Sequence, residues 1–237
     1  MASTPKLIDN FRPAGSSAIC LDIRHSTQLV RKFLTLEKLK FHADFMRDLK
    51  DIVFENNHEF FTVNDTGDGF ICLFWGKAHA WEALKLAVKI EEYLISKKQE
   101  YDRFLKKHRI QMEFGFGIGL HSGASIVHRY PDIKKDFMYG YVLNTTARLE
   151  SFTKTFKDVH LLMSGSFLSV LKNQMDEFNK TIDTPIDYKT FVKDNIRAVT
   201  SDKVEIHDSK RGGHSLHTIT KANKITPLTA RKNRKAR

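Results

Sequence analysis

The chain has 237 residues, of which 41% are hydrophobic, enough to bury a sizeable core and too apolar for a disordered tail. Its formal charge of +11 is unevenly spread: residues 221–237 carry seven Lys or Arg and no acid, and without them 32 basic residues face 28 acidic ones, a net of +4. Two cysteines exclude a disulfide framework, and no apolar run approaches the roughly 18 residues of a membrane span. The N-terminus MASTPKLIDNFRP lacks the basic-then-apolar order of a secretory signal, so a reducing cytoplasm is expected. The expected division is an extension over 1–12, one domain over 13–220 and a disordered basic tail over 221–237, with nucleic acid not expected as a partner.

In chain order, residues 16–23 (SSAICLDI) read as an apolar strand ending on Asp22, and Ser26-Thr27 can cap a helix. Val30, Leu34, Phe41, Phe45, Leu49 and Ile52 then recur at helical spacing, which predicts one long helix to about Glu55. Residues 60–75 (FFTVNDTGDGFICLFW) are two β-rich runs joined by Asn-Asp-Thr-Gly-Asp-Gly, a hairpin composition. A second long helix follows over 77–107, with Trp81, Leu84, Val88 and Ile95 on one face.

Residues 112–123 (MEFGFGIGLHSG) alternate strictly: Phe114, Phe116, Ile118 and Leu120 point one way, and Gly115, Gly117 and Gly119 the other. Three glycines on one face imply close approach by something, read here as an active site or a dimer partner. A helix over 142–155, a strand over 159–163, a helix over 166–173 and a strand pair within 192–220 complete the pattern. The order indicates an α+β fold, a split βαβ, mostly antiparallel sheet with helices on one face.

Asp22 and Asp68 stand at a strand end and a hairpin turn, where unpaired carboxylates are costly. If those strands are neighbours, the two side chains converge, and hard oxygen donors of this kind suit Mg²⁺ or Mn²⁺. Taken singly, each carboxylate reads as structural before catalytic, Asp22 as a helix cap and Asp68 as an ordinary Asp-Gly turn residue.

Four strings in order, AICLDIRHST, VNDTGDGFICLF, FGIGLHSG and YGYVLNTTARLES, together resemble the catalytic domain of the class III nucleotidyl cyclases. The resemblance implies that Asp22 and Asp68, with the Ile23 backbone carbonyl, hold two Mn²⁺ or Mg²⁺ ions. It further implies that Asn144 orients the ribose while Arg148 stabilises charge on the α-phosphate. At i and i+4 those two project from one helix face. Within SKRGGHSLHTI (209–219) the resemblance places Lys210 on the β- and γ-phosphates, with the neighbouring Arg211 and a plain charged turn as alternatives. The family builds its sites at a homodimer interface, so the expected enzyme turns a nucleoside triphosphate into a 3′,5′-cyclic monophosphate and pyrophosphate.

Two positions depart from the family. Where it selects purines with Lys or Glu and with Asp or Cys, this chain has Asn64 and Phe137. Phenylalanine cannot accept a hydrogen bond from an adenine amino group, and an amide can pair with the N3 and O4 edge of uracil. The same amide flipped pairs with cytosine, and a one-residue shift puts Asp136 in the base position and revives a purine. The pattern is similar to the bacterial pyrimidine cyclases of anti-phage defence, which implies UTP as substrate and a separate effector that reads the cyclic product. The rival of another class is a non-catalytic module of the same fold that binds nucleotide or nucleic acid.

Overall fold

The computed structural model describes residues 11–56, 59–130, 135–156, 158–179, 187–199 and 216–219. Strand β1 (Phe11–Ile23) leads through a turn at Arg24-His25 into helices α1 (Ser26–Lys32) and α2 (Leu36–Phe54). The hairpin β2 (Phe61–Asp65) and β3 (Gly69–Trp75) follows, then helix α3 (His79–Lys107) and the long strand β4 (Phe116–Tyr130). Next come β5 (Lys135–Tyr139), α4 (Tyr141–Phe152) with a 3-10 turn at Thr153–Thr155, β6 (Leu161–Ser164), α5 (Gly165–Asn179), α6 (Tyr188–Asn195), β7 (Ile196–Val199) and β8 (Leu216–Ile219).

The strands form one sheet in the order β2-β3-β1-β4-β6-β8-β7, with β5 paired to the far half of β4. Among the described residues only the β4–β6 pair is parallel. This is the α+β, mostly antiparallel arrangement expected from the sequence. β1 pairs along its whole length with β4 and, from Ser16 to Asp22, with β3. β5 and α6 were not anticipated; each is short and draws its order from a neighbour already in place.

Alternation along β1 separates two layers. Ile19, Leu21 and Ile23 enter the main core with Leu49, Val53, Leu84, Ile90, Phe116, Phe167 and Leu171, from β4 and helices α2, α3 and α5. Ala18, on the opposite face, packs with Leu73 and with Val142 of α4. The expectation of helices on one face is thus corrected: α4 lies across the second face, over β4 and β1.

The glycine stripe explains how α4 gets there. A Cβ on Gly119 would lie 2.2 Å from the Thr146 carbonyl oxygen and 2.6 Å from the Glu150 amide nitrogen. A Cβ on Gly117 would lie 2.3 Å from Thr153 Oγ1 and 2.5 Å from Glu150 Oε1. What approaches Gly117 and Gly119 is therefore the chain's own α4 with the turn after it, and what approaches Gly115 is the Arg24 side chain. The reading of a partner chain against the stripe is corrected, while Gly117, paired with Asp22, borders the candidate site. Gly119→Ala should lower stability by about 3 kcal/mol, the upper end for overpacking, because the clash is with helix backbone that cannot swing aside. Urea unfolding measures it, and a loss under about 0.5 kcal/mol would show that α4 does not sit on this strand.

The first helix was expected to run unbroken to Glu55, but it breaks at Phe33–Thr35, where Thr35 is extended (φ −116°, ψ 152°). Leu29 and Phe33 are buried, whereas Val30 and Leu34 are 42% and 85% exposed. The apolar face before the break is one residue out of phase with Phe45 and Leu49, and the break absorbs the offset. Ile95, also placed on a core face, is 47% exposed, and Leu94 is buried instead. Among the described residues, no helix is long and apolar enough to cross a membrane.

Candidate active site

The register of the first three strands assembles the site. Asp22 pairs with Gly69 on one side and Gly117 on the other. A Cβ on Gly69 would meet the Leu21 carbonyl oxygen at 2.0 Å, so only glycine lets the hairpin close onto β1 at this point. Gly67 takes the turn itself at φ +97°, and its N–H donates to Asp65 Oδ1 at 2.8 Å. Between the two glycines sits Asp68, whose backbone carbonyl accepts from the Ile23 N–H at 3.2 Å. The hairpin turn is thereby pinned to the end of β1, and Asp22, Ile23 and Asp68 come together.

The Ile23 side chain is buried in the main core, on the side of β1 opposite Asp22. Burial, then the charge of Asp68, push the Asp22 carboxyl above its usual range, while Lys154 and Arg24 pull it back. The Ser26 hydroxyl donates to Asp68 Oδ2, so it serves the carboxylate and not the helix-capping role expected for it; the residue preceding α1 is His25, at φ 59°. Two hard oxygen donors that repel each other at one sheet end fit a divalent cation. No group of three or more His, Cys, Asp or Glu side chains that could hold a metal occurs among the described residues. Backbone and substrate oxygens can complete such a site, and Mg²⁺ and Mn²⁺ readily take them.

Helix α4 presents two different sides. Val142, Thr145, Thr146, Leu149 and Glu150 are buried against the sheet, whereas Asn144 and Arg148 are exposed. The end of α4 meets the carboxylate site: Lys154 Nζ lies 3.8 Å from Asp22 Oδ2 and 4.0 Å from Glu150 Oε1. Arg148 and Asn144 stand about 9 and 15 Å back along the helix axis from that point, at 1.5 Å per residue. The structure does not bring them to Asp22 of their own chain.

Asn64 lies exposed on β2, paired with Ile71, which pairs in turn with Cys20. Cross-strand partners share a face, so Asn64 is on the same side of the sheet as Asp22. For Phe137 the backbone alone is described: it belongs to β5 and pairs with His128. Lys210 and Arg211 lie outside the described residues.

Sequence reasoning missed Glu150, Arg24 and Lys154. Glu150 is 5% exposed, its Oε1 is buried with no hydrogen-bond partner, and burial raises its pKa to about 7. Arg24 donates from Nη2 to Thr153 Oγ1 at 2.9 Å, and burial lowers its pKa against the pull of Glu150 and Asp22. The available signal was the i, i+4 spacing of Glu150 and Lys154 next to the Asn144–Arg148 motif. Cys20 and Cys72 are free and buried, as expected of small hydrophobes.

The fold has relatives. The chain resembles the adenylyl cyclase CyaB from P. aeruginosa, with a TM-score of 0.64 and 14% identity over 92% of this chain and 99% of that one. It also resembles adenylate cyclases from Trypanosoma brucei solved in their monomeric state (0.56; 15% identity; 87% and 89% covered). A third likeness is to a non-canonical dimeric guanylyl cyclase domain of the RhoGC fusion protein from the aquatic fungus Blastocladiella emersonii (0.55; 17%; 88% and 97%). No curated protein matches the sequence. The family model described as the adenylate and guanylate cyclase catalytic domain matches residues 16–199. With Asp22, Asp68, Asn144 and Arg148 all inside that match, the chain belongs to the adenylate and guanylate cyclase catalytic domain family, the class III nucleotidyl cyclases.

Proposed function

We propose that two copies of this chain form a cyclase that converts UTP to 3′,5′-cyclic UMP and pyrophosphate, with each site shared between protomers. The observation that carries the cyclase reading is the meeting of Asp22 and Asp68 at one sheet end while Asn144 and Arg148 face outward from the same chain. Exposed Ile126, Tyr139 and Tyr141 lie at the β4–β5 pair and the start of α4, beside that outward face, and support its burial against a second copy.

Asp22, Asp68 and the Ile23 carbonyl would hold Mn²⁺ or Mg²⁺, two ions per site, which when bound lower the pKa of the 3′-hydroxyl and neutralise phosphate charge. The partner's side of the site supplies orientation. Asn144 holds the ribose, so that the 3′-oxygen faces the α-phosphorus in line with the leaving group. Arg148 donates to the α-phosphate oxygens as charge builds on them. The 3′-hydroxyl gives up its proton to solvent, the new bond joins O3′ to the α-phosphorus, the bond to the bridging oxygen of the β-phosphate breaks, and pyrophosphate leaves with Lys210 against its oxygens.

Asn64 supports a pyrimidine. It is exposed on the face that carries Asp22, and an amide there offers a carbonyl to N3–H and an NH₂ to O4 of uracil. The likeness to bacterial pyrimidine cyclases extends the reading to a second messenger of antiviral defence, read by a separate effector protein. A purine substrate is the second reading, favoured by the family match itself. Incubation with equimolar ATP, GTP, CTP and UTP plus Mn²⁺, followed by chromatography, separates the two. Cyclic UMP should dominate, and a product made from ATP or GTP alone would overturn the pyrimidine assignment.

A further inference from the structure

Lys154 stands between two carboxylates of unlike surroundings. Asp22 is partly open to solvent, its side chain 36% exposed, and carries like-charge repulsion from Asp68. Glu150 is buried, and its Oε1 has no hydrogen bond. That oxygen lies over Gly117, on a strand face stripped of side chains. The Lys154 ammonium is 3.8 Å from the first carboxylate and 4.0 Å from the second, both longer than a hydrogen bond. It is held by charge rather than locked by directed bonds, on a side chain that is 47% exposed and can therefore move. In the ion-free protein this ammonium offsets the repulsion between Asp22 and Asp68. A divalent cation on Asp22 would in turn repel an ammonium within 4 Å, and Glu150 offers it a second place to rest.

We propose that Lys154 is a tethered counter-cation of the carboxylate site, shared between Asp22 and Glu150, which a divalent ion must displace towards Glu150. Lys154 is thus a positioning residue that sets how much divalent ion the protein requires. The inference rests on Asp22 and Asp68 being the ion's ligands.

The test is binding of Mn²⁺ to the nucleotide-free full chain, read from the loss of the free-ion signal in electron paramagnetic resonance. Lys154→Gln should bind Mn²⁺ about three- to tenfold tighter than wild type, a screened Coulomb effect of one removed charge. Lys154→Arg should bind as wild type does, and Lys154→Met should repeat the Gln result if packing of the stem is immaterial. The Mn²⁺ concentration for half-maximal turnover should fall in parallel. If wild type binds, Asp22→Asn does not, and Lys154→Gln binds no tighter, the counter-cation role is wrong while the metal site stands. If wild type and Asp22→Asn bind equally or not at all, the metal-site reading falls and takes this inference with it.

Discussion

Asp22→Ala is expected to cut product formation by about 10³-fold or more while leaving the chain folded, because it removes a carboxylate on which both ion binding and substrate placement depend. The folding half of this expectation follows from the electrostatics. Asp22 stabilises nothing by its charge in the ion-free protein; burial and Asp68 both disfavour the ionised form and raise its pKa. A carboxyl with a raised folded pKa contributes stability below its unfolded value, near 3.8, and loses it as pH rises through the folded value. In EDTA at pH 7 the variant should therefore unfold at a denaturant midpoint equal to or above that of wild type. That advantage should vanish as the pH drops below the ordinary carboxylate range. Circular dichroism with urea checks stability, and chromatography of products checks turnover. A variant that keeps a tenth of wild-type activity would remove Asp22 from the chemistry. Wild type that turns over none of the four triphosphates would favour the non-catalytic binding module.

The second large effect concerns the partner. Arg148→Ala alone should lose about 10²- to 10³-fold in turnover, the usual consequence of deleting a donor aimed at transition-state charge. Mixed with Asp22→Ala, it should recover activity. A heterodimer of the two variants carries one site with both defects and one with neither. Random pairing makes half the dimers mixed, so an equimolar mixture should reach about a quarter of wild-type turnover, given two equivalent sites per dimer. The geometry behind this is the two-sided α4: Thr146, Leu149 and Glu150 hold it to its own sheet, and Asn144 and Arg148 face away. A mixture no more active than its parents, in protein shown to exchange subunits, would mean that each chain builds its site alone.

Much of the local structure was legible because its causes are local. The alternation that β4 takes up from Phe116 favours a strand, and the Asn-Asp-Thr-Gly-Asp-Gly run favours a turn, whatever surrounds them. Asp22 and Asp68 could be singled out for the same reason: carboxylates at a strand end and a turn stand out against apolar runs. Their meeting was expected only on the condition that the two strands are neighbours and through the family resemblance; what supplies it is β1 pairing with β3 in the register that sets Asp22 opposite Gly69.

The sequence alone determined the longer helices and strands, because periods of 2 and 3.6 are properties of the nearby chain, and its resemblance to a known family singled out the two carboxylates together with Asn144 and Arg148. The tertiary structure alone decided that α4 occupies the glycine face of β4, that α1 and α2 part at Phe33, and that Glu150, Arg24 and Lys154 crowd around Asp22. Lys154 and Asp22 are separated by more than a hundred residues. What brings them within 3.8 Å is the seating of a helix on bare strand backbone, a packing event that no short window of sequence contains.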